Sequence, residues 1–135
     1  MVAPILWEES YAVGVQEFDE DHRHLFQMAN EVVRTAEVGG SETDMRAVLD
    51  DLIEEAVVHF EHEEAIMEKS GYPGLVEHRE AHNRLVRTFI KYRSELRFER
   101  LQIDDVAEFI LDWLAVHIKT LDRAYSRYLN GAGIR

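Results

Sequence analysis

Apolar residues recur at intervals of three and four positions through most of the chain, the spacing typical of helices that bury one face. The first such segment runs from about residue 17 to 37, and Gly39 and Gly40 end it. The second runs from about 41 to 69, with Ser41 placed to cap its first turn and Asp44 in capping-box position. The pattern therefore predicts two long amphipathic helices in the first half of the chain.

The second half of the chain shows the same pattern after a turn at residues 70–74. A third predicted helix covers about 75–98. A fourth begins near Ile103, capped by Asp104, and continues to about Leu129. The chain is thus expected to contain four main helices.

Four helices with short connections predict an all-α fold, an up-down-up-down four-helix bundle formed by one domain of residues 1–135. Residues 1–16 are expected to form an N-terminal arm pinned over the bundle by Trp7, because proline and glycine interrupt a helix there. The bundle itself would occupy residues 17–129, and residues 130–135 would form a frayed tail.

The chain is strongly acidic, with 27 acidic and 15 basic side chains and a formal net charge of −12. Nucleic acids and anionic membranes are bound by clustered basic residues, so neither is an expected partner. The absence of cysteine excludes disulfides, thiolate metal sites and iron–sulfur clusters. With no basic and apolar leader and no membrane-length apolar run in the sequence, a cytoplasmic protein is expected.

Histidines occupy regular positions on the predicted helices. His59 and Glu63 lie four residues apart, as do His78 and His82, so each pair differs by only about 40° in direction around its helix. The first and fourth helices each place one further histidine among apolar residues. Each of the four helices is therefore expected to direct at least one imidazole toward the core.

Buried histidines and carboxylates need partners. A single histidine on an apolar face is usually a hydrogen-bonded core residue, but five of them with two inward acids and no evident inward Lys or Arg require a cation. We interpret this set as metal ligands: His22, His59, Glu63, His78, His82, His117 and Asp122. His24 and His62 point away from the set and are interpreted as surface or boundary residues.

Seven donors exceed the four of a tetrahedral zinc site and divide naturally between two ions. If both carboxylates bridge, a three-and-two division of the imidazoles leaves one ion with an open position. Imidazole-rich sites suit iron, zinc, copper and nickel, and ligand type alone does not choose among them. The Glu-x-x-His pairs of ferritin-type centres do not occur in the sequence.

One ligand spacing does not fit a regular helix. His117 and Asp122 are five residues apart, which places them about 140° apart around an α-helix. Either a local π-type widening brings the two side chains together, or the aspartate approaches the site from the flank. We therefore expect a distortion between these two residues.

Four short motifs carry the ligand positions: Asp21-His22 with Leu25-Phe26, the run from His59 to Glu64, the run from His78 to His82, and Trp113-Leu114 followed by His117-Ile118 and Asp122. In these motifs the sequence resembles the hemerythrin family, specifically its single-domain bacteriohemerythrins. The resemblance extends from Trp7 to about Tyr128, and each of the ligand positions has the residue type of the family.

The resemblance implies a centre of two iron ions, Fe2+ or Fe3+, that share an oxo or hydroxo bridge. It assigns His78, His82 and His117 to one iron, His22 and His59 to the other, and Glu63 and Asp122 to the bridging positions. Dioxygen is the implied partner, and it would bind at the iron with two histidines.

The oxygen pocket of the family is apolar, and the matching positions in this sequence are also apolar: Leu25, Phe60, Trp113, Leu114, Ile118 and Leu121. These residues would also serve as ordinary bundle core, and both roles are compatible. A dry pocket would slow the loss of the bound oxygen species and the irreversible oxidation of the iron. Leu114 is expected to act as a gate over the open position.

Reversible dioxygen binding, for storage, delivery or scavenging, is the function that the resemblance implies. No catalytic acid or base is evident at the open position, so an oxygen-binding protein is favoured over an enzyme. Two alternatives remain open at this point. One is an oxygen or redox sensor that acts through a partner, and the other is a di-iron peroxidase or nitric-oxide reductase type of enzyme with an unidentified electron donor.

Overall fold

The computed structural model describes residues 6–95, 108–110, 112–114, 116–118 and 122–135. Its main helices are α1 (Gln16–Glu37), α2 (Glu42–Ser70), α3 (Leu75–Glu95) and α4 (Arg123–Gly131). Before α4, residues 108–110, 112–114 and 116–117 are α-helical, and Ile118 and Asp122 are π-helical.

The fold is the predicted all-α bundle, in which α2 packs against both α1 and α3. The short connections at residues 38–41 and 71–74 make α1, α2 and α3 antiparallel neighbours. The predicted bounds of α1 and α2 agree with the structure to within a residue. The predicted start of the fourth helix at Ile103 and its cap Asp104 lie outside the described residues.

The helix that carries two of the predicted ligands begins at a capping box. The Ser41 hydroxyl oxygen accepts a hydrogen bond from the Asp44 backbone N–H at 3.1 Å, and the Asp44 carboxylate accepts one from the Ser41 N–H at 3.2 Å. These bonds satisfy donors that the first turn of α2 leaves without helical partners. The capping box predicted from the sequence is confirmed.

The same helix ends where Gly71 adopts a left-handed backbone conformation with φ of 73°. The N–H groups of Gly71 and Tyr72 then donate to the carbonyls of Glu68 and Met67 at 3.1 and 2.9 Å. A residue with a side chain is disfavoured at this φ, so glycine suits the position. The reversal brings α3 back along α2 and sets the histidines of the two helices opposite one another.

One face of each helix forms a continuous apolar core. Its most deeply buried members include Phe18, Leu25, Val32, Leu49, Leu52, Ala56, Met67, Ile110, Leu114 and Leu129. Burial of this apolar surface provides the main stabilisation of the bundle. Among the described residues, no helix combines the length and the apolar character needed to cross a membrane.

The predicted N-terminal arm lies over the bundle and is held by aromatic contacts. The Trp7 ring lies 5.8 Å from that of Tyr11 and 5.5 Å from that of Phe26, measured between centroids. The Arg23 guanidinium carbon lies 5.0 Å from the centre of the Trp7 ring, in position for a cation–π interaction. Trp7 thus pins the arm to α1, as the sequence predicts.

The arm also contacts α4 through backbone carbonyls. The Ser126 hydroxyl donates to the Val13 carbonyl, and the Asn130 amide donates to the Gly14 carbonyl at 2.9 Å. Asn130 also donates to the carbonyl of Ile134 at 2.8 Å, and the N–H of Ile134 donates to the carbonyl of Leu129 at 2.9 Å. The residues after α4, for which the sequence predicts a frayed tail, are therefore hydrogen-bonded back onto the helix.

Replacement of Ser41 by Ala should destabilise the chain by about 1 kcal/mol, because the first turn of α2 loses its cap. The measurement is urea unfolding followed by circular dichroism. The matched control is Ser94→Ala, since the Ser94 hydroxyl bonds the Ile90 carbonyl within an exposed part of α3 and caps no helix. An equal loss in both variants would contradict the capping role.

Candidate metal centre

The structure brings the seven predicted ligands together at the centre of the bundle. They form two overlapping groups, and within each group one donor atom of every residue lies within 4.8 Å of the others. The first group contains Glu63, His78, His82, His117 and Asp122, and the second contains His22, His59, Glu63 and Asp122. All seven side chains are buried, each with 6% exposure or less.

Helical spacing explains how these side chains meet. On α3, His78 and His82 are one turn apart, and their ring centroids are separated by 4.5 Å. On α2, one turn separates His59 from Glu63, and the distance from His59 Nε2 to Glu63 Oε1 is 3.0 Å. Each pair presents two donors on one stripe, and the antiparallel packing of α2 and α3 directs both stripes to the same point.

The five-residue spacing of His117 and Asp122 is accommodated by the backbone. Ile118 and Asp122 are π-helical, and the distance from His117 Nε2 to Asp122 Oδ1 is 3.0 Å. A π-turn adds a residue per turn and so brings positions five apart onto one face. The distortion expected from the spacing is confirmed in the described residues, in its first form, a local widening of the helix.

Asp122 lies between the two groups of donors. Its Oδ2 atom is 3.2 Å from His22 Nε2, whereas its Oδ1 atom is 2.9 Å from His78 Nε2 and 3.0 Å from His117 Nε2. The two oxygens of one carboxylate therefore face different sets of imidazoles. This is the arrangement that a carboxylate bridging two ions requires.

Glu63 provides the second shared carboxylate. Its Oε1 atom lies 3.0 Å from His59 Nε2 and 3.6 Å from His82 Nε2, one imidazole from each group. Its Oε2 atom accepts a hydrogen bond from the Tyr125 hydroxyl at 2.6 Å. Glu63 is thus fixed at one oxygen and directed at the cluster with the other.

The atoms that face the centre of the cluster have no hydrogen-bond partner in the described part of the chain. They are the Nε2 atoms of His22, His59, His78, His82 and His117, with Glu63 Oε1 and Asp122 Oδ1. Within each of the two groups these atoms lie within 4.8 Å of one another without forming hydrogen bonds, so each group surrounds a common point. Unpaired buried polar atoms are costly, and cations at those points would satisfy all of them. The residues present therefore fit a pair of metal ions.

Burial and the neighbouring charges shift the pKa values of Asp122 and His59 in opposite directions. Burial alone raises the pKa of Asp122, but the charge of His117 and the nearby His22 and His78 hold that pKa well below its usual range. Burial lowers the pKa of His59, yet Glu63 and the hydrogen bond to Asp21 outweigh it and raise the pKa to about 10. In the metal-free chain a proton on His59 therefore compensates part of the buried negative charge.

The pKa of His82 is lowered, whereas that of His59 is raised. Burial lowers its pKa to about 3, and the neighbouring His78 and His117 contribute to the decrease while Glu63 opposes it. This imidazole is neutral at physiological pH and needs no deprotonation before it binds an ion. Its ring also stacks on that of Phe60, with 3.9 Å between centroids and an interplanar angle of 6°.

Two carboxylates to which the sequence analysis gave no role support the imidazoles from outside the cluster. Asp21 Oδ2 lies 2.9 Å from His59 Nδ1, and Glu64 Oε2 lies 3.1 Å from His82 Nδ1. Each directly adjoins a predicted ligand in the sequence, Asp21 before His22 and Glu64 after Glu63. That adjacency was the available signal, but it does not indicate which histidine each acid contacts.

Tyr125 is a further residue of the site that the sequence pattern did not indicate. This residue is fully buried on α4, three positions after Asp122, and its hydroxyl donates to Glu63. Burial, together with the charges of Glu63 and Asp122, raises its pKa well above the usual value, so the hydroxyl stays protonated and remains a donor. The three-residue spacing from Asp122 was a signal that both side chains share a helix face.

The predicted pocket residues Leu25, Phe60, Trp113, Leu114 and Ile118 are all buried in the apolar core. Leu121, the sixth, lies outside the described residues. Phe60 and Trp113 are in contact with each other, with 5.7 Å between ring centroids, and both lie about as close to the His117 ring, at 6.0 Å. An apolar wall therefore adjoins the cluster at these two residues.

The two excluded histidines lie outside the cluster. His24 is exposed, and its Nδ1 atom is 3.6 Å from Glu55. His62 is partly exposed, as the sequence predicts, but its Nδ1 atom is 3.4 Å from Asp21 Oδ2. His62 is therefore connected to the cluster through Asp21 and His59.

Comparisons with known proteins agree with this geometry. Residues 13–129 match the family model described as the Hemerythrin HHE cation binding domain. A bacteriohemerythrin of Stenotrophomonas maltophilia (strain R551-3) is 28% identical over 93% of this chain and 81% of its own length. A myohemerythrin of Sipunculus nudus is 32% identical over 90% of this chain and 91% of its own length.

A solved structure shows the same similarity in three dimensions. The crystal structure of a wild-type hemerythrin superposes with a TM-score of 0.82 at 29% sequence identity, over 93% of this chain and 97% of that chain. This chain therefore matches one family in both sequence and fold, and it has the buried cluster of histidines and carboxylates.

Replacement of Tyr125 by Phe should destabilise the metal-free chain by about 1–3 kcal/mol, because Glu63 Oε2 loses its donor in a buried site. Urea unfolding measures the change. Tyr128→Phe is the matched control, since its hydroxyl donates to the Ser70 carbonyl at an exposed position and its loss should matter much less. Equal effects of the two substitutions would contradict a role for the buried hydrogen bond.

Metal binding should release protons and weaken as the pH falls. Because the pKa of His59 is raised to about 10, this imidazole is protonated at pH 7.5 and must lose a proton to bind an ion. Calorimetric titration with Zn2+ in buffers of different ionisation enthalpy measures the proton release. A heat of binding that does not depend on the buffer would contradict the prediction, and His24→Ala should behave like the unchanged chain.

Proposed function

Since the chain belongs to the hemerythrin family, we propose that it binds dioxygen reversibly at a pair of iron ions held by the seven clustered ligands. One observation carries the proposal. Glu63 and Asp122 belong to both donor groups, and the remaining imidazoles divide into three on one side and two on the other. Such a division gives one ion fewer protein ligands than its neighbour.

The number of donors supports an open position at the second ion. With both carboxylates shared, the first ion has five protein ligands and the second has four: His22, His59, Glu63 and Asp122. Two iron ions, when bound, would supply the open coordination position and the electrons that reversible dioxygen binding requires. The ligand set by itself also suits other metals, and the family relationship is the reason for the choice of iron.

The apolar residues around the cluster would keep water away from it. Leu25, Leu114 and Ile118 are each only about 1% exposed, and Phe60 and Trp113 cover His82 and His117. Exclusion of water protects a reactive centre from hydrolysis and from leakage of protons. These side chains therefore support binding and release of a gas over its chemical consumption.

The Tyr125 hydroxyl is also unsuited to act as a proton donor. Tyr125 holds its proton in a 2.6 Å hydrogen bond to Glu63, and burial raises its pKa well above the usual value. Reduction of dioxygen or peroxide to water consumes protons, whereas reversible binding consumes none from solution. The placement of Tyr125 therefore favours a carrier over an oxidase or peroxidase.

Cycles of oxygen exposure test the proposal. The chain is loaded with Fe2+ without oxygen, and air is then admitted while the visible absorption is followed. We expect two iron ions per chain, a band that appears in air, and its loss when oxygen is removed. His78→Ala should reduce the iron content and abolish the band, whereas His24→Ala, which removes an exposed histidine, should leave both unchanged.

Other outcomes would overturn the carrier function. Two bound irons without an oxygen-dependent band would contradict it directly. Rapid and repeated consumption of hydrogen peroxide or nitric oxide in the presence of a reductant would identify an enzyme instead.

A further inference from the structure

Asp21 connects the interior of the cluster to the surface of the bundle. Its Oδ2 atom lies 2.9 Å from Nδ1 of His59, which is 1% exposed, while the Asp21 side chain itself is 32% exposed. On the outer side, the same oxygen is 3.4 Å from His62 Nδ1, and His62 Nε2 is 3.1 Å from Glu17 Oε2. The carboxylate is thus held between one buried and one partly exposed imidazole.

The contact determines which nitrogen of His59 is available to a metal ion. An imidazole that donates its Nδ1–H to a carboxylate keeps the lone pair of Nε2 free, and its ring is fixed in orientation. His59 Nε2 faces Glu63 at 3.0 Å and has no hydrogen-bond partner among the described residues, so the lone pair that this nitrogen gains on losing its proton points into the cluster. Asp21 therefore sets both the protonated nitrogen and the direction of this ligand.

The second imidazole on the same side lacks such support. Both ring nitrogens of His22 are buried, and neither has a hydrogen-bond partner among the described residues. In the group of three histidines, a carboxylate likewise holds one imidazole, since Glu64 contacts His82 at 3.1 Å. The group of two histidines thus has Asp21 as its carboxylate support, and the group of three has Glu64.

We propose that Asp21 is a positioning residue for the ion bound by His22 and His59, and that its carboxylate controls the affinity of that site for its ion. The inference rests on the proposed two-ion centre. Asp21 touches no reacting atom and acts through His59. Glu64 is the corresponding residue for the other ion, and this symmetry provides an internal comparison.

Metal titration of matched variants tests the proposal, with Zn2+ as a probe that has no redox chemistry. In Asp21→Asn we expect one of the two ions to bind about 10–100-fold more weakly, the usual effect of losing a supporting carboxylate. In Glu64→Gln the other ion should be weakened instead. Glu20→Gln is the control, because it removes the same charge from the adjacent position, where the side chain accepts an exposed hydrogen bond from Gln16.

Imidazole NMR of the zinc-loaded chains identifies the ion that is affected. The His59 signals should change in Asp21→Asn while the His82 signals remain, and Glu64→Gln should show the reverse. In the unchanged chain, the Nδ1–H proton of His59 should exchange slowly with water and resonate far downfield. This last measurement needs no variant, so it applies even if Asp21→Asn folds poorly.

The two hypotheses fail in different ways. Rapid exchange of the His59 Nδ1–H proton, or equal zinc affinities in Asp21→Asn and Glu20→Gln, would overturn the positioning role and leave the two-ion centre intact. Binding of fewer than two ions by the unchanged chain would instead overturn the proposed function on which the inference rests.

Discussion

Two carboxylates buried among five imidazoles impose the main constraint on this protein. Glu63 and Asp122 are almost fully removed from water, and toward the centre of the bundle each presents an oxygen that has no hydrogen-bond partner in the described part of the chain. Burial of an uncompensated charge costs several kcal/mol even after the protein relaxes. In the metal-free chain, protonated His59 offsets part of this cost. Metal ions at the convergence of the donor atoms would offset it fully.

The rest of the bundle is arranged to hold that cluster in place. The capping box at Ser41 and the left-handed turn at Gly71 fix the ends of α2, the helix that contributes both His59 and Glu63. The N-terminal arm is hydrogen-bonded to α4, which carries Tyr125 and so the hydroxyl that fixes Glu63. Apolar packing supplies the stability, and a few directed hydrogen bonds supply the geometry of the site.

A carboxylate outside the cluster supports each of its two halves. Each half has one imidazole held by a carboxylate, through Asp21 on one side and Glu64 on the other. The half with two histidines also contains His22, whose ring nitrogens have no hydrogen-bond partner among the described residues. The half that contains this histidine is also the one with fewer protein ligands.

The sequence by itself determined the first three helices, the capping box of α2 and the set of seven clustered side chains, because helical periodicity and four-residue spacing are local properties of the chain. It also indicated a distortion between His117 and Asp122, since a five-residue spacing does not fit a regular helix, but left its form open between a π-type widening and an approach of the aspartate from the flank. Only the tertiary structure decided which groups support the ligands. Asp21 contacts His59 on another helix and Tyr125 reaches Glu63 from α4, contacts between residues 38 and 62 positions apart. Such pairings depend on how the helices pack and rotate against one another, and no local spacing encodes them.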